Sequence, residues 1–365
     1  MATLSSFPES PISLPATINN RNKGEKKMLL SPYFAKCFDS QKTEEQKEDE
    51  LHAFQQHKKE ILTLPLQQGW RHFSLRFYKG FWFAEFILPG VLSLRRHFLP
   101  NPSDIFLASY PKSGATLLKA LVFVISTRNP DSLLSCHPHD CSPYLEGLFA
   151  GPQVPDLDML PSPRQLATHI PYSVLPESVR ESPCRIIYLC REPKDTLVST
   201  YHFFNGMRRP ESSQQPMPFM EAMDLFCKGQ SIYGPVWEHQ MEYWRESQRR
   251  PDKVLFLTYE YLKADPETSV RRMAEFMGMR FTAEEEMSCM VGEIVRQTSI
   301  EKFSGLEVNK VGMKFEETEW AIKNSSFFRN GRVGDWREHF TAEMAERLDA
   351  ITKDKLHQLS HSNES

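Results

Sequence analysis

Lys112, Ser113, Gly114 and Thr116 put a cation, two hydroxyls and a glycine in the turn Tyr110-Pro-Lys-Ser-Gly-Ala-Thr-Leu-Leu118. The turn joins an apolar run at Asp104 to Ser109 to a second apolar run that begins near Thr116. A strand leading through such a turn into a helix makes an anion site. The first backbone N–H groups of a helix lack intrahelical partners and carry the positive end of the macrodipole, so a phosphate is held there with little extra machinery. Pro111 fixes the backbone and Gly114 lets it come close to a ligand, while Lys112 supplies the charge. The glycine-first GxxxxGK[ST] order of nucleotide hydrolases is absent, and the competing reading of Lys112 is a solvent-facing lysine at a turn.

Two further groups of residues extend this chemistry. Arg185-Ile-Ile-Tyr-Leu-Cys190 is the clearest strand in the chain, and it runs into Arg191 and a helix opened by Pro193 and Asp195. Arg191 at the strand end and Ser199 in the helix can hold a second phosphate by a guanidinium fork and a hydroxyl. Two anion sites imply a ligand with phosphates at two places. His169 follows a strand and precedes a proline loop. In a parallel α/β sheet the strand carboxyl ends face the ligand crevice, which puts His169 on the same edge as Lys112, where a base near neutrality is useful. Its competing reading is a structural histidine. Arg329 and Gly331 offer another guanidinium beside a close backbone approach.

The elements that must position these groups are legible as apolar runs. Strands are expected at 104–109, before His169, at 185–190 and at 254–259, and buried or amphipathic helices at 116–125, 236–248, 266–277, 282–296 and 342–356. Residues 62–100 are aromatic and basic, fitting either a core or a pocket for a flat organic molecule, with Phe81, Trp82, Tyr144, Phe203 and Phe204 as candidate pocket aromatics. Cys136-His-Pro-His-Asp-Cys141 crowds potential metal ligands into one loop. Structural zinc sites separate their ligand pairs, so a surface loop without metal is the expectation.

Bulk composition excludes some function classes. A formal net charge of −3 with 25% charged residues gives no global pull toward nucleic acid or anionic membrane. Seven scattered cysteines suit a reducing, cytoplasmic compartment. The strongest apolar stretch, Phe81 to Leu94, is interrupted by Glu85, Pro89 and Gly90 and falls short of the roughly 20 residues a bilayer needs. Residues 1–58 read as a largely disordered leader with a surface helix at its end, the alternative for its beginning being an organelle transit peptide; 59–360 read as one domain.

Four ordered motifs then carry a family resemblance: YPKSGATLLKAL, THIPYSVLP, YLCREPKDTLVSTYHF and FFRNGRVGDWREHFT. Together they resemble the soluble sulfotransferases, and CRIIYLCREPKD with LEVNK resembles the plant cytosolic, flavonol-sulfotransferase-like branch. The resemblance covers about residues 60 to 355 and implies an α/β, three-layer P-loop-like fold with a central parallel sheet flanked by helices. It also implies sulfonate transfer from 3′-phosphoadenosine 5′-phosphosulfate (PAPS) to a hydroxyl of a small acceptor, leaving PAP, with no metal. His169 would be the base and Lys112 would stabilise the leaving phosphate. Ser113, Thr116 and the N–H groups around Gly114 would bind the 5′-phosphosulfate beside Lys112, with Ala115 and Leu117 in the same cofactor-binding loop. Arg191, Ser199, Arg329 and Gly331 would bind the 3′-phosphate, with Asn330 in that loop. Tyr259, Thr298, Ser299 and Ile300 would flank the adenine.

The chain departs from that family where KSGTTWLK is usual: Ala115 replaces a threonine and Leu117 a tryptophan. Ile300 stands for a common phenylalanine and Asn330 for a common lysine. The runner-up reading is a catalytically weakened PAP- or acceptor-binding relative, and a third is a nucleoside-phosphate kinase. Flavonoid, steroid, hydroxyjasmonate and desulfoglucosinolate acceptors stay open. Arg337-x-x-x-Thr341-Ala342-x-x-x-Glu346 loosely resembles the KxxxTVxxxE dimer motif of animal relatives, so a monomer or weak homodimer is expected.

Overall fold

The computed structural model describes residues 32–38, 41–70, 73–207, 215–314 and 321–361. The first long element is α1 (Glu44–Thr63), opened by a reciprocal cap in which Thr43 accepts from the Gln46 N–H and Gln46 from the Thr43 N–H. Its buried face, Ala53, Phe54, His57 and Ile61, packs toward α2 (Leu88–His97). Because α1 runs through residues 58 and 59, the expected boundary between leader and domain falls inside one docked element. Of the leader expected at 1–58, residues 1–31, 39 and 40 lie outside the described residues.

A small antiparallel sheet, β1 (Leu66–Gln68), β2 (Ser74–Tyr78) and β3 (Phe81–Ala84), precedes α2. The apolar stretch from Phe81 is thus a strand followed by a buried helix. Among the described residues no helix is long and apolar enough to cross a membrane.

The main sheet is parallel, with β4 (Ile105–Ser109), β5 (Gln165–Thr168), β6 (Arg185–Cys190) and β7 (Val254–Thr258) in the order β5-β4-β6-β7. Side chains alternate between two cores, as the two-residue period of a strand requires. Phe106, Ala108, Ile186 and Tyr188 face one core with Phe83, Leu88 and Trp237. Ile105, Leu107, Ile187 and Leu189 face the other with Leu121, Met273 and Ile294. The second core is built by α3 (Ala115–Thr127), α6 (Pro266–Phe276) and α7 (Met290–Gln297). The first receives α4 (Pro193–Gly206), α5 (Val236–Arg249) and residues of α8 (Ala342–His361). Two apolar faces covered in this way give the expected three-layer α/β architecture.

Register decides where the chemistry sits. Ala108 pairs with Thr168, Ser109 with Leu189 and Cys190 with Thr258, so four strands end level. The residues that follow them, Tyr110, His169, Arg191 and Tyr259, therefore emerge on one edge. One expected element is divided: 282–296 forms a short helix (Ala283–Met287) and then α7. Cys289 turns the chain with φ +58°, and the new axis buries Val291 and Ile294 in the second core.

Candidate active site

The loop after β4 is held in an uncommon backbone form. Lys112 has φ +67° and Gly114 φ +109°. A Cβ on Gly114 would lie 2.7 Å from the Tyr259 ring, so glycine is required by space as well as by φ. Tyr110, fully buried, anchors the turn through a 2.7 Å hydrogen bond with Ser231 Oγ. Gly114 has no side chain to cap α3, so the first N–H groups of that helix keep the anion-binding character expected of them. A bulky non-glycine residue at positive φ, as at Lys112, is strain of the kind stored at functional sites.

Lys112 Nζ lies 3.7 Å from the Phe203 ring centre and 5.9 Å from that of Phe327. Burial, reinforced by the positive charges of Arg191 and Arg329, pushes its pKa down to about 7. Among the described residues no carboxylate pairs with it. Thr116 and Leu117 line the same cavity, whereas Ser113 does not: its hydroxyl is buried under the loop without a partner.

The second junction differs from the first. α4 is capped by the Glu192 carboxylate, which accepts from the Asp195 N–H at 3.0 Å, so its backbone offers no free anion site. What remains are the side chains of Arg191 and Ser199, both on the cavity. Arg191 stacks 4.7 Å over Tyr259 and donates to the Arg332 carbonyl at 2.7 Å, while its Nε is buried without a partner. The 329–336 loop is tied down from both sides. Asp195 accepts from the N–H groups of Gly334 and Trp336 at 2.8 and 2.9 Å, and Asp335 pairs with Arg329 at 2.5 Å and accepts from Asn330. These donors hold the Asp335 carboxyl below its ordinary range despite burial. Tyr259 donates to the Gly331 carbonyl at 2.9 Å, joining the loop to β7. Thr298 and Ile300 line the cavity, and Ile300 packs against Gly331. Ser299 does not line it: its hydroxyl caps the short helix Ile300–Phe303.

His169 is clamped at both of its peptide groups. Its N–H donates to the buried Glu146 carboxylate at 2.7 Å, and its carbonyl accepts from His239 Nε2 at 2.9 Å, with Tyr188 donating to the other nitrogen of His239. His169 Nδ1 lies 2.6 Å from the Ser109 carbonyl, an acceptor only, so the proton is assigned to Nδ1 and the Nε2 lone pair is free. Burial pushes the His169 pKa down to about 3, so the ring stays neutral at physiological pH. The same burial raises Glu146 to about 7.

One cavity of about 510 Å³ joins these groups. Its apolar wall is Phe86, Ile87, Tyr144, Phe203, Phe204 and Tyr233. Three of the expected pocket aromatics are there; Phe81 and Trp82 are not. Phe81 packs on His239 and Trp82 on Phe77. Trp82 acts through its backbone instead: its carbonyl accepts from the Tyr233 N–H at 2.6 Å, holding Tyr233 at φ +66° with its hydroxyl bonded to that of Tyr144. The 136–141 segment is also not the surface loop expected. Pro138 starts a one-turn helix capped by His137, His137 is buried, and His139 reaches the cavity between Thr116 and Phe327. Among the described residues its ligand-type side chains form no group able to hold a metal. Glu146 and Tyr233 carried no local sequence signal; Phe86 lay in the aromatic run without being singled out, and His139 stood in a segment read for metal and then set aside.

A parallel sheet that puts an uncapped, lysine-bearing helix start, a second guanidinium lobe and a neutral histidine on one edge makes a site suited to an anionic ligand. Residues 102–360 match the family model described as "Sulfotransferase domain", and the chain belongs to that family. It is similar to "Cytosolic sulfotransferase 17" of Arabidopsis thaliana, 42% identical over 84% of this chain and 90% of that protein. It is also similar to "Flavonol 3-sulfotransferase" of Flaveria bidentis, 43% identical over 78% of this chain and 92% of that one. Among solved structures, mouse sulfotransferase SULT7A1 complexed with PAP matches with a TM-score of 0.59 at 26% identity, covering 79% of this chain and 95% of that chain.

Proposed function

We propose that this sulfotransferase moves the sulfonate of PAPS to a hydroxyl of a flat, largely apolar small molecule in the cytoplasm, with His169 as base and Lys112 at the leaving phosphate. The observation that carries the reading is the meeting of the α3 start, Lys112, Arg191 and His169 in one cavity whose other wall is aromatic. The residues fit a doubly phosphorylated nucleotide. The α3 N–H groups and Thr116 face one anion, and Arg191, Ser199 and the Arg329–Gly331 loop face the other, where the unpartnered Nε of Arg191 gives a donor for it. In the mouse relative the nucleotide is PAP.

His169 Nε2 takes the acceptor's O–H proton as the acceptor oxygen bonds to sulfur and the bond from sulfur to the phosphate oxygen breaks. A base of low pKa serves here because the hydroxyl becomes strongly acidic only as it attacks, so the proton moves late. Lys112 meets the negative charge that develops on the departing phosphate oxygen, which is stabilisation of the transition state rather than of the ground state. A phosphate beside Lys112 favours its charged form and so offsets the burial that lowers its pKa. The aromatic wall excludes water, and the Tyr144–Tyr233 hydroxyl pair beside His169 gives the acceptor a polar end to bind.

The test is incubation with sulfur-labelled PAPS and a panel of flavonols, steroids and hydroxyjasmonates. Label is expected in at least one acceptor. PAP binding without transfer to any would instead mark a binding protein, and ATP consumption a kinase.

A further inference from the structure

The histidines of Cys136-His-Pro-His-Asp-Cys141 take no part in the chemistry above, yet His139 touches the helix that forms the anion cradle. Its Nε2 lies 3.3 Å from Thr116 Oγ1 and its Nδ1 3.2 Å from Lys119 Nζ. Thr116 and Lys119 are three residues apart on α3, hence neighbours on one helix face. Lys119 is only 3% exposed, and its ammonium also donates to the Ser142 carbonyl at 3.2 Å. The His139 ring is held between His137, 5.4 Å away and stacked, and Phe327, 4.1 Å away.

The chemistry of these groups sets the direction of every bond. An ammonium has donors and no acceptor, so Nδ1 of His139 must accept from Lys119. A neutral imidazole then carries its one proton on Nε2, which must donate to Thr116 Oγ1. With its oxygen occupied as an acceptor, the Thr116 hydroxyl has its own hydrogen left to donate, and Thr116 lines the cavity. Burial and the neighbouring cations keep His139 well below its ordinary pKa, hence neutral, and Lys119, lowered to about 8, is still charged at neutral pH. Of the hydroxyls in the loop only that of Thr116 reaches the cavity, since Ser113 is buried beneath it and position 115 is alanine.

We propose that Lys119, His139 and Thr116 form a positioning relay that makes the Thr116 hydroxyl an obligate donor to the 5′-phosphosulfate. The inference rests on the nucleotide reading above. It makes Lys119 and His139 positioning residues for the donor, and Thr116 the group that touches it.

Calorimetry with PAP and with adenosine 3′-monophosphate, which lacks the 5′ group, tests the relay on the full-length protein. Thr116→Val and His139→Phe are each expected to weaken PAP binding about tenfold, as for loss of one hydrogen bond to a charged group, and to leave adenosine 3′-monophosphate within about twofold. The double variant is expected to be no weaker than Thr116→Val alone, because both remove the same donor. His139→Gln, whose amide keeps one acceptor and one donor, is expected to recover most of the PAP affinity, and Lys119→Met to lose it without touching Thr116. Undiminished PAP affinity in His139→Phe, equal losses for both nucleotides, or multiplying losses in the double variant would overturn the relay alone. A wild-type protein that binds neither nucleotide overturns the nucleotide reading and the relay with it.

Discussion

The two edges of the main sheet treat charge in opposite ways. At the amino edge Asp104, Arg164 and Lys253 are each matched, while Arg180 Nε is buried there without a partner. Asp104 and Arg164 form a two-pronged pair at 2.7 Å on each prong, and the pair is completed by the Asn101 N–H and the Leu99 carbonyl. Lys253 there donates to the carbonyls of Val179, Ser182 and Cys184. At the carboxyl edge Lys112 faces a phenylalanine ring and has no carboxylate among the described residues, Arg191 pairs with Asp195 at 3.4 Å through one terminal nitrogen but leaves Nε without a partner, and α3 is uncapped. Buried polar groups are ordinarily satisfied, and leaving them short is costly. A fold that leaves Lys112 without a counter-charge and Arg191 Nε without a partner, both on one cavity, is holding these donors for a ligand. The first edge is scaffold, and the second is site.

Substitutions at the two edges should therefore fail differently. The largest effect is expected for His169→Ala: a loss of at least about 10²-fold in sulfonate transfer, the range for a general base, with PAP affinity unchanged within about threefold. Single-turnover transfer alongside calorimetry checks it. Next is Asp104→Ala, which strands Arg164 in the interior. It should cost about 3–5 kcal/mol of stability by denaturant unfolding, with PAP affinity of the folded fraction unchanged. Weak PAP binding in a stable Asp104→Ala protein would erase the distinction between the edges.

A smaller effect concerns pH. Lys112, with a free-state pKa of about 7, is already charged below that value and contributes fully to anion binding there. Bound phosphate raises its pKa, so above pH 7 binding must take up a proton and PAP affinity falls, by at most about tenfold per pH unit for one proton. Lys112→Met should flatten this slope. Proton uptake measured by calorimetry in two buffers distinguishes the cases.

The groups that were legible in the sequence share a feature: each sits at the end of an apolar strand and carries its own local signal. Lys112, His169 and Arg191 were readable because a parallel sheet sends all its strand ends to one edge, so placing the strands placed the residues. The acceptor side was less readable because it is assembled by tertiary packing. Phe86 comes from the turn before α2, Tyr144 and Glu146 from a short helix, and Tyr233 from a loop pinned by the backbone of Trp82. An aromatic run looks the same whether it lines a core or a cavity, which is why Phe81 and Trp82 were placed with Phe203. Ser299 was expected beside the adenine only through the resemblance, and its capping role was hidden because a helix of four residues leaves little trace in the text. The break at Cys289 was hidden for a different reason: non-glycine residues at positive φ have no compositional mark, and burial of Val291 and Ile294 decides the turn.

Arg191→Ala puts the contrast between the edges to its most direct test, with the melting temperature of the free protein and the PAP dissociation constant measured side by side. Loss of the guanidinium should weaken PAP by about 1.5–3 kcal/mol, as for a charged hydrogen bond, while the free protein, in which Asp195 loses its 3.4 Å partner but keeps the Gly334 and Trp336 N–H groups, melts within a few degrees of wild type. A fall in melting temperature with undiminished PAP affinity would contradict the account, because it would make Arg191 a scaffold charge like Arg164.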